Sequence, residues 1–319
     1  MNNTIVILDG KGMNPGDLSW DKIKILGNVK IYDNTPYESI VERAKDAEIV
    51  VINKSRFDRD TISKLPKLKF ICESATGFDN IDIGFAQEKG IIVSNVRDYS
   101  TKSVVQHVFA LMFALTNKVE YHSNEAKKGR WANNDYFTFW DFPISEISGK
   151  TLGLYGFGKI ASEVAKIGNA FGMRIIANRK NPTKGYPTYV SHVDIEELFK
   201  QSDILSLHTP QTKENFNFIN KNTLALMKSN AILINTARGK MINEKDLKNA
   251  LDNKIIKSAG LDVLSSEPPN PDNPLLDCTN CIITPHQAWA SVEARKLLMD
   301  GVIKNISAFL KGAPANTVN

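Results

Sequence analysis

The sequence predicts an α/β protein of two doubly wound parallel-sheet domains. Three observations predict it. Short apolar runs of strand length alternate with amphipathic helical stretches along most of the chain, the order expected of parallel sheets covered by helices. The alternation breaks once, over residues 100–149, where a long apolar-periodic run leads into an irregular aromatic segment. A strand, glycine turn and helix, TLGLYGFGKIASEVAKIGNAF at 151–171, follows that break and has no counterpart before it. The 319 residues suffice for two domains of ordinary size.

In the first part, strands are expected at 5–8, 29–32, 49–52, 68–72 and 91–94, with helices over 37–47 and 81–89. Val104, Val108, Leu111, Leu115 and Val119 then recur at helical spacing, which predicts one long, mostly buried helix over 100–129 leading into the second domain. The segment 129–149 carries Trp131, Tyr136, Phe137, Phe139, Trp140 and Phe142. Local packing is one reading, and a subunit contact or a lid is the other. So many aromatics in irregular chain favour a partner surface.

From Thr151 the pattern resumes. Strands are expected at 151–155, 174–178, 204–208, 231–237, 255–263 and 281–285, and helices at 193–200, 220–227 and 244–252. A last helix over 289–310 is long enough to cross back to the first domain. The expected division is 1–100 with 290–319 as a substrate domain and 101–289 as a dinucleotide-binding domain, with a cleft facing the carboxyl ends of the strands.

Composition narrows the function classes. Hydrophobic residues make up 42% and charged residues 24%, as in soluble globular proteins. The formal net charge of +5 is spread over many lysines; it suits small anionic substrates and gives no argument for nucleic acid. No apolar stretch reaches transmembrane length, and the N-terminus lacks signal-peptide features, so neither a membrane partner nor export is expected. The three cysteines fit a reduced, cytoplasmic compartment. Cys278 and Cys281 form a C-x-x-C, but no further ligands sit at metal spacing and a strand follows, so neither zinc nor a redox role is expected.

The glycine turn carries the first chemical signal. Gly156 can supply the tight turn. Gly158 lets a backbone approach phosphates, and Lys159 and Ile160 open a helix whose N-terminus favours negative charge. Ala161 takes the third fingerprint position as a small packing residue. Three later loops, NTARGK, LDVLSSEPP and TPHQAW, each follow a strand and supply Arg238, Glu267 and His286. Individually each has a structural explanation. Together they are a complete set for hydride transfer between a nicotinamide and a carbinol or carbonyl carbon. His286 gives or takes the proton at oxygen, Glu267 orients its ring, and Arg238 holds a substrate carboxylate and polarises the carbonyl.

The strings ATGFDNIDI, STKSVVQHVFALM, GKTLGLYGFGKIA, LHTP, NTARG, LDV, EPP and TPHQAWAS follow one another in an order that resembles the D-2-hydroxyacid dehydrogenase family over essentially the whole chain. SATGFDNID, VVQHVFALMFALTN and FWDFPISEISGKTLG look most like its glycerate dehydrogenase, or hydroxypyruvate reductase, branch. The resemblance implies a Rossmann-type cofactor domain and a flavodoxin-like substrate domain joined by two long helices. It implies that Arg238, Glu267 and His286 are the catalytic trio, and that the backbone of Ala75, Thr76 and Gly77 binds the substrate carboxylate with Lys54 nearby. It also implies that Asp262 holds the nicotinamide carboxamide, and that His208, Thr209, Pro210, Thr236 and Ala237 line the cofactor. A homodimer is implied, with the aromatic segment reaching the mate and Trp140 approaching its active site.

Three departures matter. The third fingerprint position is Ala161 rather than Gly, a benign change. Gln287 follows His286 where an aliphatic residue is commoner. At the end of the second strand, where NAD-preferring members carry an acidic residue, stands Asn178-Arg179-Lys180. Arg179 and Lys180 would attract a 2′-phosphate, so NADP is the expected cofactor. NAD stays possible if Arg179 only stacks on adenine. Other readings remain at this level: a phosphoglycerate, phosphite or formate specificity, or a cofactor-sensing corepressor of the same fold.

Overall fold

The computed structural model describes residues 3–180 and 185–319. The chain folds as two compact units, one within Met1–Ser100 and Ala290–Asn319, the other within Thr101–Trp289.

The first unit holds a parallel sheet of β1 (Thr4–Ile7), β2 (Asn28–Ile31), β3 (Ile49–Ile52), β4 (Phe70–Glu73) and β5 (Ile92–Asn95), in the order β2-β1-β3-β4-β5. Every residue of β3 and β4 is buried, as expected of strands covered on both faces. The helix Val292–Leu310 belongs to this unit. Phe309 stacks on Phe70 with ring centroids 4.5 Å apart, and Arg295 pairs with both carboxylate oxygens of Asp17 at 2.6 Å.

The second unit holds β6 (Thr151–Tyr155), β7 (Arg174–Asn178), β8 (Val190–His192), β9 (Ile204–Leu207), β10 (Ile232–Asn235), β11 (Ser258–Leu261) and β12 (Cys281–Ile283). They form one parallel sheet in the order β12-β11-β10-β9-β6-β7-β8. Strand order reverses between β6 and β9, which is the switch point where open α/β sheets bind ligands. Separate apolar clusters fill the two faces of this sheet, one centred on Phe199, Leu233 and Leu247, the other on Leu152, Val164 and Leu111. Two parallel-sheet α/β domains are thus present, as the sequence predicts. The short strand β8 is an addition to the expected elements.

One predicted helix is two. Helix Thr101–Asn117 stops at Lys118, whose backbone is left-handed (φ 49°), and a separate helix runs over Val119–Lys127. A left-handed residue cannot continue the i→i−4 hydrogen-bond ladder. The apolar stripe is buried through Leu115 only; Val119 is 67% exposed, and the second helix buries no residue. The long terminal helix likewise starts later than expected, at Val292, with Ser291 as its N-cap. Each long helix starts just past a unit boundary.

The aromatic segment is irregular, as predicted, and is tied locally. Arg130 makes a two-pronged pair with Asp141, and Tyr121 Oη donates to the same carboxylate at 2.6 Å. These donors hold Asp141 well below the ordinary carboxylate range, at about 2, the Arg130 bonds being the larger cause. Trp131, Tyr136, Phe137 and Trp140 nevertheless remain more than half exposed.

Candidate functional site

The second unit gathers the sequence-predicted chemistry at the carboxyl ends of its strands. β6 ends at the glycine turn. Gly156 has φ +90°, and a Cβ there would lie 2.6 Å from the carbonyl oxygen of His208, so only glycine fits. Its N–H donates to Asn178 O at 2.8 Å, linking the turn to the end of β7. Gly158 is the N-cap of helix Lys159–Ala170 and provides no side-chain cap. A Cβ there would enter open space, and no acidic residue occupies the first turn. The helix N-terminus therefore keeps its N–H groups and its positive dipole end for an anion. Ala161 is fully buried, so the third fingerprint position is a packing contact.

Asn178-Arg179-Lys180 follow β7. Asn178 Nδ2 donates to Val193 O at 2.8 Å and joins β7 to the chain beyond β8. The Arg179 guanidinium lies over the ring of Tyr186, 4.8 Å from its centroid. Tyr186 packs against Phe157 of the glycine turn at 4.9 Å and against His192 at 5.5 Å. Arg179 is therefore supported by a protein ring. Sequence reasoning misses Tyr186, because nothing in its local sequence points to Arg179.

After β9, His208 takes its place beside the turn through its main chain: its N–H donates to Tyr155 O at 2.7 Å. Its imidazole is turned back to Ser206 Oγ at 2.9 Å, and burial pushes it down to about 4, so the ring is neutral near pH 7. Thr209 is half-buried and Pro210 exposed.

The loop after β10 is shaped by Asn235, fully buried at the strand end. Its Oδ1 accepts from Ala237 N at 2.9 Å and its Nδ2 donates to Arg238 O at 2.9 Å. This is the Asx geometry that an asparagine at a strand end invites. Thr236 Oγ1 is buried with no hydrogen-bond partner among the described residues. Arg238 Nη1 donates to Ala237 O at 2.8 Å. At Gly239 a Cβ would fall 2.0 Å from the backbone of Leu264, so glycine permits the Arg238 loop to lie against the loop carrying Glu267. Glu244 fixes the second of these loops, accepting from Ser265 N at 2.7 Å and Asn273 Nδ2 at 2.9 Å. Gly239 and Glu244 also escape sequence reasoning, since each acts on a partner distant in sequence.

Glu267 and His286 meet. His286 Nδ1 lies 2.5 Å from Glu267 Oε2, and both side chains are about 30% exposed, at 27% and 30%. An ionised carboxylate only accepts, so Nδ1 is the donor and Nε2 is the ring nitrogen left for a reacting oxygen. His286 is itself left-handed (φ 52°), and its N–H donates to Asp262 O and Thr284 O, each at 2.9 Å. Asp262, expected at a nicotinamide carboxamide, is 1% exposed and has its carboxylate engaged by the His286 loop. It accepts from Thr284 Oγ1 at 2.6 Å, Gln287 N at 2.9 Å and Ala288 N at 2.9 Å. Gln287 thus uses its main chain here. His107, from helix Thr101–Asn117, adds Nε2 at 2.9 Å from Thr284 Oγ1.

Lys54, Ala75, Thr76 and Gly77 lie in the first unit, past the carboxyl ends of β3 and β4. Lys54 is exposed. Its loop is held by Asp9, whose carboxylate accepts the N–H groups of Asn53, Lys54 and Ser55 at 2.8–3.0 Å and the Ser55 hydroxyl at 3.0 Å. Asn34, Thr35, Tyr37 and Arg56 join Asp9, Lys54 and Ser55 around a cavity of about 340 Å³. Asn95 Nδ2 donates to Thr76 O at 2.7 Å.

The C-x-x-C sulfurs are free thiols. Burial pushes Cys281 up to about 12 and also raises Cys278, which opposes the thiolate that redox or metal chemistry needs. No cluster of three metal-ligating side chains, and no helix long and apolar enough to cross a membrane, occurs among the described residues.

Comparison with known proteins shows the family. Residues 109–288 match the family model of the D-isomer specific 2-hydroxyacid dehydrogenase, NAD binding domain. A hydroxypyruvate reductase from Blautia hydrogenotrophica is 42% identical over 320 residues, covering 99% of both chains. A glycerate dehydrogenase from Methylorubrum extorquens is 40% identical over 100% of this chain and 99% of its own. Among solved structures, an acyclic imino acid reductase in complex with NADPH and D-Arg superposes with a TM-score of 0.86 at 35% identity, over 99% and 100% of the two chains. An NADPH-dependent glyoxylate/hydroxypyruvate reductase from Sinorhizobium meliloti, in complex with NADP and malonate, gives 0.85 at 25% identity, over 100% and 97%. With the glycine turn, the switch-point sheet and the Glu267–His286 pair, these matches show that the chain belongs to the D-isomer specific 2-hydroxyacid dehydrogenase family and is an NAD(P)-dependent oxidoreductase.

Proposed function

We propose that this chain reduces hydroxypyruvate or glyoxylate to the D-2-hydroxy acid, with NADPH preferred over NADH. The observation that carries the reading is the His286–Glu267 pair, a proton donor of fixed orientation at the carboxyl end of a dinucleotide-binding sheet. The bound nicotinamide supplies the hydride. Glu267 holds the ring by Nδ1, so His286 presents Nε2 and gives its proton to the carbonyl oxygen; Glu267 keeps the ring in that orientation throughout. Arg238 holds the substrate carboxylate by its planar fork and polarises the carbonyl. Within the first unit, the backbone of Ala75, Thr76 and Gly77, with Lys54, is the candidate cradle for a carboxylate.

The residues present suit the cofactor. The open space at Gly158, the uncapped helix beginning at Lys159 and Ile160, and the tight turn at Gly156 suit a pyrophosphate. Thr236, whose buried hydroxyl lacks a partner among the described residues, belongs with Ala237, His208, Thr209 and Pro210 in the loops assigned to it. Arg179 and Lys180, with no acidic residue at the end of β7, favour a 2′-phosphate, and Tyr186 pre-orients Arg179. The names of the relatives support the substrate, and two NADP(H)-bound neighbours support the cofactor. The exposed aromatics of 131–142 favour a homodimer through that segment, and the raised, free thiols suit a reducing cytoplasm.

The test is kcat/KM for a panel of 2-keto acids with both cofactors, in the wild type and in Arg179→Asp. Hydroxypyruvate or glyoxylate with NADPH should be the best pair. Arg179→Asp should shift the cofactor ratio towards NADH by about tenfold or more, the worth of a charge-assisted contact replaced by repulsion. An NADH preference that Arg179→Asp leaves unchanged refutes the cofactor assignment, and no turnover of any 2-keto acid refutes the substrate assignment.

A further inference from the structure

The two first-unit loops assigned to the substrate carboxylate are both tied to one buried acid. Glu73 is the last residue of β4 and is fully buried. Its Oε2 accepts from Asn80 Nδ2 at 3.1 Å. The same amide nitrogen donates to Ser55 O at 2.9 Å and reaches Asn53 O at 3.4 Å. Asn53 Nδ2 donates in turn to Ser74 O at 2.8 Å, at the start of the Ala75–Gly77 loop. One short chain of hydrogen bonds therefore runs from Glu73 through Asn80 to the loop of Lys54, and through Asn53 to the loop of Thr76.

We infer that Glu73 and Asn80 form a pin that sets the spacing of these two loops, and so act as positioning residues for binding of the substrate carboxylate. The inference rests on the substrate reading above. A binding loop that presents backbone N–H groups to a carboxylate has no side chain of its own to correct an error in position, so its accuracy comes from the layer beneath. Asp9 clamps the Lys54 loop from the side of β1. Asn53 joins it directly to Ser74, and Asn80 adds a second tie, to Glu73 at the end of β4.

The chemistry of Glu73 suits a pin. Burial pushes its carboxyl well above the ordinary range. The Asn80 N–H works against that rise, the charge of Asp9 adds to it, Lys54 opposes it and Asp79 adds to it. The rise favours the protonated form, which lessens the cost of burying a carboxyl beside a single donor.

The experiment compares KM and kcat for the 2-keto acid, and the Kd of NADPH, in the wild type, Glu73→Gln, Glu73→Leu and Asn80→Ala. Glu73→Leu and Asn80→Ala should raise KM about tenfold, the worth of about one hydrogen bond in a positioned loop. Their kcat should stay within about threefold and their cofactor Kd should not move, a split expected when binding is lost equally in the ground and transition states. Glu73→Gln, a neutral isostere, should restore KM to within about twofold of wild type. If Glu73→Leu fails to fold, Asn80→Ala and Glu73→Gln carry the test. An unchanged KM in folded Asn80→Ala, or a Glu73→Gln as impaired as Glu73→Leu, overturns the inference alone. A wild type that turns over no 2-keto acid overturns the substrate reading and this inference with it.

Discussion

Asp9 and Asp262 hold two parts of this protein by the same device and to different ends. Each lies just past a strand of its own sheet and accepts N–H groups from the loop past the neighbouring parallel strand. Asp9 takes three N–H groups and a hydroxyl from 53–55, and Asp262 takes two N–H groups and a hydroxyl from 284–288. The difference is the second carboxylate. In the second unit Glu267 is partly exposed and sits on the ring of His286, the proposed proton donor. In the first, Glu73 is fully buried and accepts from the Asn80 amide. A proposed proton donor gains from a carboxylate it can lean on as charge develops; a backbone cradle needs spacing, and a buried acid whose protonated form is favoured supplies it at less electrostatic cost.

The comparison can be broken in three places. The largest effect should come from His286→Ala, which removes the proton donor: kcat should fall by about 10²–10⁴-fold while NADPH still binds, measured by turnover and by cofactor fluorescence. Near-normal turnover would end the assignment. A smaller and more instructive pair is Asp262→Ala against Asp9→Ala. Loss of Asp262 frees the loop that aims His286, so kcat should fall by about 10–100-fold with the ring still present. Loss of Asp9 frees a binding loop, so KM should rise with kcat nearly kept. If both variants change the same kinetic constant, the two aspartates do not serve different ends.

The smallest effect concerns pH. Because the Glu73 carboxyl is raised on folding, its contribution to stability is complete below the ordinary carboxyl range and is lost as pH rises through the raised value. Glu73→Gln does not titrate. Urea unfolding from mildly acid to alkaline pH should show the wild type losing stability relative to Glu73→Gln as pH rises. Parallel curves for the two proteins would mean that Glu73 is not neutral in the folded state.

Much of the candidate site is legible without the fold. Gly156, Gly158, Arg238, Glu267 and His286 stand in loops that directly follow apolar strands, and such loops are placed by local alternation alone. What escapes has one cause in common: the acting partner is remote in sequence. Gly239 is required because Leu264 crosses it, Glu244 acts on Ser265, Tyr186 supports Arg179, and Asn80 reaches back to Ser55. The helix predicted over 100–129 fails for a local reason. Its apolar period continues to Val119, but the backbone turns left-handed at Lys118 and puts Val119 in solvent.

The sequence by itself determined that two parallel α/β sheets form and that a dinucleotide site opens the second, and it named three candidate side chains for a hydride-transfer chemistry. Those facts follow from apolar periodicity and from residue types at the ends of strands. Only the tertiary structure decided that Asp262 holds the His286 loop, that Arg179 rests on a tyrosine ring, and that Glu73 is a buried acid behind two loops. Burial and hydrogen-bond partnership are properties of residues brought together from distant parts of the chain, and no local pattern records them.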